Sequence, residues 1–483
     1  MLGLVRSVKN SLAPVNRIPP NLFLLIPKYW EECDMDRNAI TLTHVCRGWR
    51  ELLIADSSLW THLDCTNVTK TRIYIERSKS SDLEISLQRR DGATYREDVF
   101  PLVVPHIGRV KSLNISGTED ILRNLTQHIS RPIPLLEELT IDLTCGPAPV
   151  LSSALFNGDL PWLHTLVLSG VTTHLPWKNL SNLTTFELRF IPEDKISVRL
   201  FLDVLERTYR VRRVTLLGLV PTSSDAPPKR VVSLPCLENL TIVANPAHST
   251  LLNHLCIPAG ASLMLGFNLM GKAPRFRDYL PKKLENLKNL RSVASASLRF
   301  DERKRSLRLD GSSGRLYIIT SQDGSLPSWK VDCQVFRSLN NFPLSAAQRP
   351  AVTKFKLPMA TVMEKSTPYV VLHRMKGLRT LTLIQCNNLP FILALNPDQN
   401  LSKLTLCPKL EKIVLYVEEW ESFNLSELMN MAKERASAGK RLSSIAIVGL
   451  GDLMPGREVF KLREYVMSVD YRVEERPPSW DSI

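Results

Sequence analysis

An apolar template repeats along most of this 483-residue chain, and any fold of the chain must bury every copy. Each copy follows the spacing apolar-x-x-apolar-x-apolar. Six copies are Val110/Leu113/Ile115, Leu136/Leu139/Ile141, Leu163/Leu166/Leu168, Leu183/Phe186/Leu188, Val211/Val214/Leu216 and Leu237/Leu240/Ile242. Four more copies begin at Val352, Leu378, Leu410 and Leu442. One short match means little, but ten copies predict a repeated structural unit.

The spacing of the copies is typical of leucine-rich repeats. Among the first six copies, successive starting positions differ by 20 to 28 residues, close to the roughly 20–29 residues of that repeat class. Helical patterns fill two intervals, at Val198–Arg207 and Leu425–Arg435. A repeated strand and helix predict an α/β fold, a leucine-rich-repeat solenoid with a curved parallel sheet on its concave side. The template residues would point into the stack, and the residues between them would face the concave surface.

The stretch 262–351 departs from this regular spacing. Ser297–Phe300, Ser306–Leu309 and Leu316–Ile319 have strand character and are separated by turn signals such as Asp310-Gly311 and Asp323-Gly324. Their spacing is too short for the regular repeat. The sequence therefore leaves two interpretations open: degenerate repeats, or a small β insertion within the solenoid.

The first sixty residues follow a different, helical pattern. Arg17–Ile26 is typical of an extended proline-rich entry followed by a short apolar helix, with Asn21 as its N-cap. Asp36–Ala55 is predicted to be one helix. Its apolar stripe consists of Ile40, Thr43, Val45, Trp49, Leu52 and Leu53. Ser57–Trp60 then predicts a turn and an apolar plug.

Three pieces of this segment, in order, resemble the F-box motif. They are Ile18-Pro19-Pro20-Asn21-Leu22, Val45-Cys46-Arg47-Gly48-Trp49-Arg50 and Ser58-Leu59-Trp60. The stretches Thr71–Leu87, Leu378–Pro397, Met431–Arg435, Ile447–Arg463 and Tyr471–Val473 resemble a large group of F-box proteins from mushroom-type fungi. Two residues depart from the motif: Asn21 replaces the usual acid, and Pro27 falls within what is normally helix, which it would end or kink.

The resemblance implies a trihelical F-box module that docks onto the small adaptor Skp1, and through it onto a cullin. Residues at the matching positions would form or support that docking surface: Ile18, Pro19, Leu22, Ile26, Val45, Cys46, Trp49, Leu59 and Trp60. A helical module this small leaves apolar surface that favours a partner. In the alternative interpretation, Trp49 and Trp60 are ordinary core residues.

These observations predict four regions along the chain. They are a basic lead-in (1–15), an F-box-like domain (16–65), a leucine-rich-repeat-like solenoid that is irregular at 262–351 (66–470) and a C-terminal tail (471–483). The first hypothesis for function is a non-catalytic substrate receptor of a Skp1–cullin–F-box ubiquitin ligase, which commits targets to ubiquitin-dependent degradation. The unidentified target protein would contact concave-face residues or, equally well, loop tips. The concave candidates are Glu187, Arg189, Lys356 and Tyr416.

Two other hypotheses remain open at this level. In a non-ligase interaction scaffold, the F-box-like unit would only cap the open apolar end of the solenoid. The formal charge of +14 raises nucleic-acid binding as a third hypothesis. However, most residues predicted on the concave face are neutral: Asn114, Thr140, Val167, Thr215, Thr241 and Thr382. We therefore interpret the basic clusters as solvated surface.

The common catalytic, cofactor and metal motifs are missing from the sequence. Gly449-Leu450-Gly451 lacks the third glycine of a dinucleotide turn, which would stand at Met454, and Gly439-Lys440 lacks the earlier glycine of a phosphate-binding loop. We expect no cofactor and no bound metal, although a cysteine nucleophile remains open. Nine scattered cysteines without a C-x-x-C pair indicate reduced thiols in the cytoplasm or nucleus. No apolar run is long enough for a membrane helix.

Overall fold

In the computed structural model of the chain, the second and third residues of each template copy lie on parallel β-strands of a mixed α/β fold, and Val352, which begins one copy, lies outside the described residues. The chain forms two units, Met1–Ile196 and Ser197–Ile483. The predicted F-box-like segment (16–65) and the first predicted repeats belong to the same unit. The structure describes residues 12–28, 40–88, 97–121, 123, 132–145, 150–151, 160–173, 180–190, 198–218, 230–244, 249–269, 280–281, 284–290, 293–300, 304–311, 315–322, 354–358, 367–373, 375–384, 389–398, 405–417, 423–450 and 457–474.

The first unit begins with short helices and continues as strands. Its helices are α1 (Pro20–Phe23), α2 (Leu25–Lys28), α3 (Arg47–Ala55), α4 (Val68–Ser78) and α5 (Phe100–Val103). Four 3₁₀ helices cover Pro14–Arg17, Ser57–Trp60, Glu97–Val99 and Val104–Arg109. The strands are β1 (His62–Leu63), β2 (Leu83–Gln88), β3 (Val110–Thr118), β4 (Glu138–Cys145), β5 (Val150–Leu151), β6 (Thr165–Ser169), β7 (Thr172–Thr173) and β8 (Thr185–Arg189).

Prolines determine where the first helical segment starts and breaks. The prediction of Asn21 as N-cap is wrong, because α1 already begins at Pro20 and Pro19 is its N-cap. Proline suits the first helical position, where its missing N–H would have no helical partner. The segment then breaks at Leu24. Pro27 has no N–H to donate to the carbonyl of Phe23, so an unbroken helix is disfavoured there.

The single helix predicted over Asp36–Ala55 is also interrupted. Residues 40–43 are helical, a turn follows, and α3 starts at Arg47. Cys46 has extended backbone angles and its thiol accepts a hydrogen bond from the Trp49 N–H at 3.5 Å. The break keeps the helical turn in contact with α3, because the Arg50 side chain donates from Nε to the Thr43 carbonyl at 2.9 Å.

In the first unit the template residues stack strand upon strand. Strands β1, β2, β3, β4, β6 and β8 pair in that order, all parallel. The pairing register places Leu113, Leu139, Leu166 and Phe186 in one row, and Ile115, Ile141, Leu168 and Leu188 in the next. Each of these side chains is at most 1% exposed. Since burial of one such side chain stabilises a fold by about 1.5–3 kcal/mol, these rows are the core of the unit.

A tight turn precedes many of the strands and explains part of the proline content. The N–H of the first template residue bonds to the carbonyl three residues earlier, as from Leu163 to Leu160 at 3.2 Å and from Leu237 to Leu234 at 3.2 Å. Proline follows the first residue of several turns, as at Pro161 and Pro235, where its fixed φ suits the turn. The earlier residue is itself buried. The repeat therefore extends one apolar position upstream of the template.

The second unit alternates strands with longer helices. Its helices are α6 (Val198–Arg207), α7 (Ser249–Leu252), α8 (Thr367–Leu372), α9 (Leu389–Leu395) and α10 (Leu425–Ser437), with 3₁₀ helices at Leu284–Asn286, Lys288–Leu290 and Arg457–Glu464. The strands are β9 (Arg213–Leu217), β10 (Val232–Ser233), β11 (Asn239–Ala244), β12 (Leu255–Cys256), β13 (Ser262–Leu269), β14 (Val293–Phe300), β15 (Lys304–Gly311), β16 (Arg315–Gln322), β17 (Lys354–Pro358), β18 (Thr380–Ile384), β19 (Lys412–Val417), β20 (Ser444–Leu450) and β21 (Ser468–Glu474). The helices predicted at Val198–Arg207 and Leu425–Arg435 are confirmed as α6 and α10.

The described strands of the irregular stretch 262–351 include a reversal of strand order within the main sheet. Strand β13 pairs in parallel with β16, β16 and β15 pair antiparallel, and so do β15 and β14. Strand β14 then pairs in parallel with β17, from which β18 to β21 continue in sequence. The strands predicted here are confirmed. They belong to the main sheet, in which β14, β15 and β16 form an antiparallel meander. This meander connects the parallel strands that end at β13 to the parallel strands that begin at β17.

In the second unit a buried arginine links a helix to a neighbouring turn. Helix α9 packs between α8 and α10. Arg435 of α10 is 0% exposed and donates to the carbonyls of Leu406 and Cys407 at 2.9 and 3.0 Å. Burial lowers the pKa of Arg435. These bonds satisfy two carbonyls of the turn before β19, which would otherwise be buried without donors.

We expect the template positions to carry the stability of the first unit. Leu166→Ala should lower the free energy of unfolding by about 2–5 kcal/mol, because it opens a cavity in a fully buried row. The adjacent Val167 lies on the other face and is half-buried. Val167→Ala should therefore cost about 1 kcal/mol or less. Urea denaturation followed by circular dichroism compares the two, and equal losses would contradict this assignment of faces.

Candidate functional site

The residues predicted to dock an adaptor fall into three classes of exposure. Ile18, Pro19, Leu22 and Val45 are exposed. Ile26, Cys46, Trp49 and Leu59 are half-buried, whereas Trp60 is fully buried. Leu22 and Val45 leave 51% and 53% of their surface accessible to solvent. Where such exposed apolar side chains form a contiguous patch, the patch is characteristic of surfaces that bind other proteins.

Trp49 holds the N-terminal segment against α3. Its indole N–H donates to the Oδ1 atom of Asn16. Its ring packs on Phe23, with ring centroids 4.6 Å apart and an interplanar angle of 52°. Phe23 is 2% exposed. Trp49 therefore works as both a core residue and an anchor for the neighbouring exposed residues Ile18 and Leu22, and sequence reasoning missed its two partners.

Trp60 supports this region from inside and has no accessible surface to offer a partner. Its indole N–H donates to the Leu53 carbonyl at 2.8 Å. Its ring meets Tyr74 edge-on at 5.0 Å, and the Arg77 guanidinium lies 4.3 Å from the ring centroid. Of the two interpretations of Trp60, the structure supports the core residue. The buried Trp60 side chain fixes the orientation of the 3₁₀ helix Ser57–Trp60, which leads into β1.

Further exposed apolar residues in the same segment were missed by the motif. They are Leu12, Val15 and Leu25. We call these three, together with Ile18, Leu22 and Val45, the N-terminal apolar set. Prolines on either side and short helices leave few positions at which these side chains could turn inward. Helices of four residues are too short for an apolar face to be recognised from residue spacing, so the sequence alone did not reveal these exposed residues.

The second face of the first sheet is polar. Register places Asn114, Thr140, Val167 and Glu187 in one row across β3, β4, β6 and β8, and all four are half-buried. Arg189 lies on the same face of β8 as Glu187 and donates from Nε to Glu187 Oε2 at 3.1 Å. The structure therefore brings together two of the predicted target-binding residues, as an ion pair on a face of hydroxyl and amide groups.

The other two candidates for target binding lie in the second unit. Lys356 belongs to β17, in register with Thr382 and Ser297, and its side chain lies outside the described part of the chain. Tyr416 is only 7% exposed. Burial, with a further contribution from Glu474, raises its pKa.

The prediction of Tyr416 as a surface contact is wrong. It belongs to an apolar cluster on the second face of β18 to β20, formed by Ile384, Val414, Tyr416, Ala446 and Val448. Thr382 on the same face is also buried. The sequence carried a signal for this, because strands buried on both faces appear as continuous apolar runs such as Ile413–Val417. Buried and half-buried residues alternate along β8, whereas consecutive residues are buried along β18 and β19.

Two cysteines that sequence reasoning left open as nucleophiles are protonated at neutral pH. Burial, with the charge of Asp64 adding to it, raises the pKa of Cys65 to about 12. Burial also raises the pKa of Cys407 to about 12, against the opposing charge of Arg435. The reactive form of cysteine is the thiolate. By contrast, Cys236 is exposed.

The described residues show no metal-binding cluster. They contain no group of three or more His, Cys, Asp and Glu side chains positioned to hold an ion. None of the helices in the described part of the chain combines the length and apolar content needed to cross a bilayer. His44 is exposed beside Val45.

Comparison with known proteins identifies no relative. No protein-family model matches the chain, and no curated protein matches it. The resemblance to F-box proteins therefore rests on the motif residues themselves.

The thiols should differ sharply in reactivity. At pH 8, iodoacetamide should label Cys236 in the native protein, whereas Cys65 and Cys407 should react only after unfolding. Site-resolved mass spectrometry measures the labelling of each thiol, with Cys236→Ser as the control for the Cys236 peptide.

The same two buried thiols should make stability depend on pH. An unfolded cysteine thiol loses its proton near pH 9, whereas the folded-state pKa values of Cys65 and Cys407 are about 12. The free energy of unfolding should therefore fall as pH rises through that window. Rapid native labelling of either buried thiol would contradict both expectations.

Proposed function

We propose that this protein is a substrate-receptor subunit of a Skp1–cullin–F-box ubiquitin ligase. In this proposal the N-terminal segment binds a Skp1-type adaptor, and the repeats form a solenoid that holds a target protein. The receptor performs no bond chemistry. It raises the effective concentration of a target lysine near a separate conjugating enzyme.

One observation carries the adaptor-binding part of the proposal. Residues at three F-box positions, Ile18, Leu22 and Val45, remain exposed, although Phe23 packs on Trp49 and Trp60 is fully buried. A folded chain gains about 1.5–3 kcal/mol for each such side chain that it buries. Leaving several exposed on a well-packed support is favourable when a partner covers them.

The polar face of the first sheet supports the target-binding part. Its half-buried hydroxyl, amide and charged groups, among them Asn114, Thr140 and Glu187, are held in fixed rows by the strand register. Such a surface can recognise a partner by hydrogen bonds at low entropic cost, since the backbone is already ordered. The apolar second face of β18 to β20 offers no comparable contacts, so we place target binding on the first unit.

A second candidate function, a scaffold without ligase activity, is favoured by one specific observation. Strand β1 pairs with β2 in parallel, with His62 opposite Glu84 and Leu63 opposite Ile85. Leu63 and Trp60 are fully buried beside it. The N-terminal segment thus covers the first edge of the sheet, which is the role of a capping repeat.

Pull-down with a purified Skp1-type adaptor tests the first proposal. The wild-type chain should retain the adaptor, and Leu22→Asp combined with Val45→Asp should reduce retention at least tenfold, because charges would be buried in an apolar interface. The matched control is Leu135→Asp, since Leu135 is an equally large exposed residue outside the motif. That variant should bind the adaptor as the wild type does.

Light scattering of the adaptor-free protein separates the two functions. If the wild-type chain fails to retain the adaptor and remains a stable monodisperse species alone, the capping role replaces the ligase proposal. If retention occurs but is unchanged in the double aspartate variant, the adaptor binds elsewhere and the assignment of Leu22 and Val45 is wrong.

A further inference from the structure

A groove in the first unit lies between α4 and the segment formed by residues 40–54. Its volume is about 530 Å³, within the roughly 300–1,000 Å³ of pockets that hold small ligands or a few side chains. The lining residues are Ile40, Thr43, His44, Arg50, Ile54, Trp60, Asn67, Thr69, Lys70, Ile73, Tyr74 and Arg77. Apart from Ile40, Thr43 and His44, they come from α3, the 3₁₀ helix at Ser57–Trp60, and α4 with its N-cap Asn67. The lining residue His44 is adjacent in sequence to Val45, which belongs to the N-terminal apolar set.

The floor of the groove is apolar and rigid. Ile40 and Ile54 are half-buried and Ile73 is exposed, while Trp60 and Tyr74 beneath them are at most 1% exposed. On α4, positions 70, 73, 74 and 77 follow helical spacing, so that one face of the helix forms a wall. A partner side chain placed here would bury apolar surface without requiring the walls to refold.

The rim of the groove is basic. It carries Arg50, Lys70, Arg77 and His44, and none of the lining residues in the described part of the chain is acidic. Lys70 pairs with Asp64 at 2.6 Å. Burial opposes ionisation of Asp64, but the bond to Lys70, the charge of Lys70 and two bonds from Thr66 together lower the pKa of that carboxyl. Arg50 and Arg77 form no ion pair within the described residues, so their charges are available to an anionic partner.

The geometry points to an acidic amphipathic helix of a partner protein as the occupant of this groove. Apolar side chains at helical spacing would enter the groove, and flanking Glu or Asp residues would meet Arg50 and Arg77. The walls are helices and turns, so they present no free strand edge to which an extended peptide could add. The N-terminus of α4 is not an anion site, because Asn67 Oδ1 already accepts from the Lys70 N–H at 3.0 Å.

Fluorescence anisotropy with two labelled helical peptides tests this inference on the full chain. Both probes share four leucines at i, i+4, i+7 and i+11, and their other positions are mainly Glu in one and mainly Lys in the other. The glutamate peptide should bind at least tenfold more tightly than the lysine peptide at low ionic strength. Its affinity should fall as salt rises, since exposed charges are screened.

Variants on α4 locate the binding site. Ile73→Glu and Arg77→Glu should each weaken binding of the glutamate peptide at least tenfold. Arg77→Glu should also tighten binding of the lysine peptide. Arg72→Glu is the matched control, because Arg72 is exposed on the same helix outside the groove, and it should leave both affinities unchanged. Thermal unfolding midpoints verify that each variant is folded, and the comparison of the two peptides on the wild type needs no variant.

Three results would overturn the inference. They are equal affinity for the two peptides, indifference to Ile73→Glu and Arg77→Glu, and displacement of the peptide by a single-stranded oligonucleotide with the same dependence on variants. The last result would assign the groove to nucleic acid. The inference is independent of the proposed adaptor binding, so the Leu22→Asp and Val45→Asp variant should bind the glutamate peptide normally. Loss there would move the peptide to the N-terminal apolar set.

Discussion

Each unit depends on the in-register stacking of the buried template residues of one strand on those of the next strand. In the first unit, Leu113, Leu139, Leu166 and Phe186 form a continuous row because parallel pairing holds their strands in a constant register. A shift of one residue would turn every apolar side chain to the opposite face. The register therefore also determines which polar residues, such as Glu187 and Arg189, share the other face.

The strands of the two units use that second face differently. In the first unit it carries half-buried polar groups, among them Asn114 and Thr140, which suit recognition of a partner. In β18 to β20 it carries the apolar cluster around Tyr416 and Val448, which is buried. A half-buried polar face and a buried apolar face thus occur in different parts of the chain, although the backbone architecture of the strands is the same. The difference comes from side-chain composition at alternate positions rather than from the fold.

At the N-terminus, one motif supplies both support and surface. Trp60 and Trp49 have the same side chain, yet they pack differently. Trp60 is enclosed by Leu53, Tyr74 and Arg77. Trp49 contacts both Asn16 and Phe23. This support leaves Leu22 and Val45 exposed. Side chains of α3 and α4 line the groove. The small segment can thereby present two chemically distinct surfaces.

The sequence by itself determined the strands that carry the template and the strands β14 to β16, because their apolar spacing is typical of strands with a buried face, and it determined helices α6 and α10. It also located the N-terminal segment as helical and apolar. Only the tertiary structure decided the break at Cys46, the reversed order of β14 to β16 and the burial of Tyr416. The reversed strand order and the burial of Tyr416 depend on contacts between residues far apart in sequence, such as β14 with β17 and Tyr416 with Ile384 and Val448. The spacing of apolar residues shows which face of a helix or strand is apolar, but it does not show which other residues that face contacts.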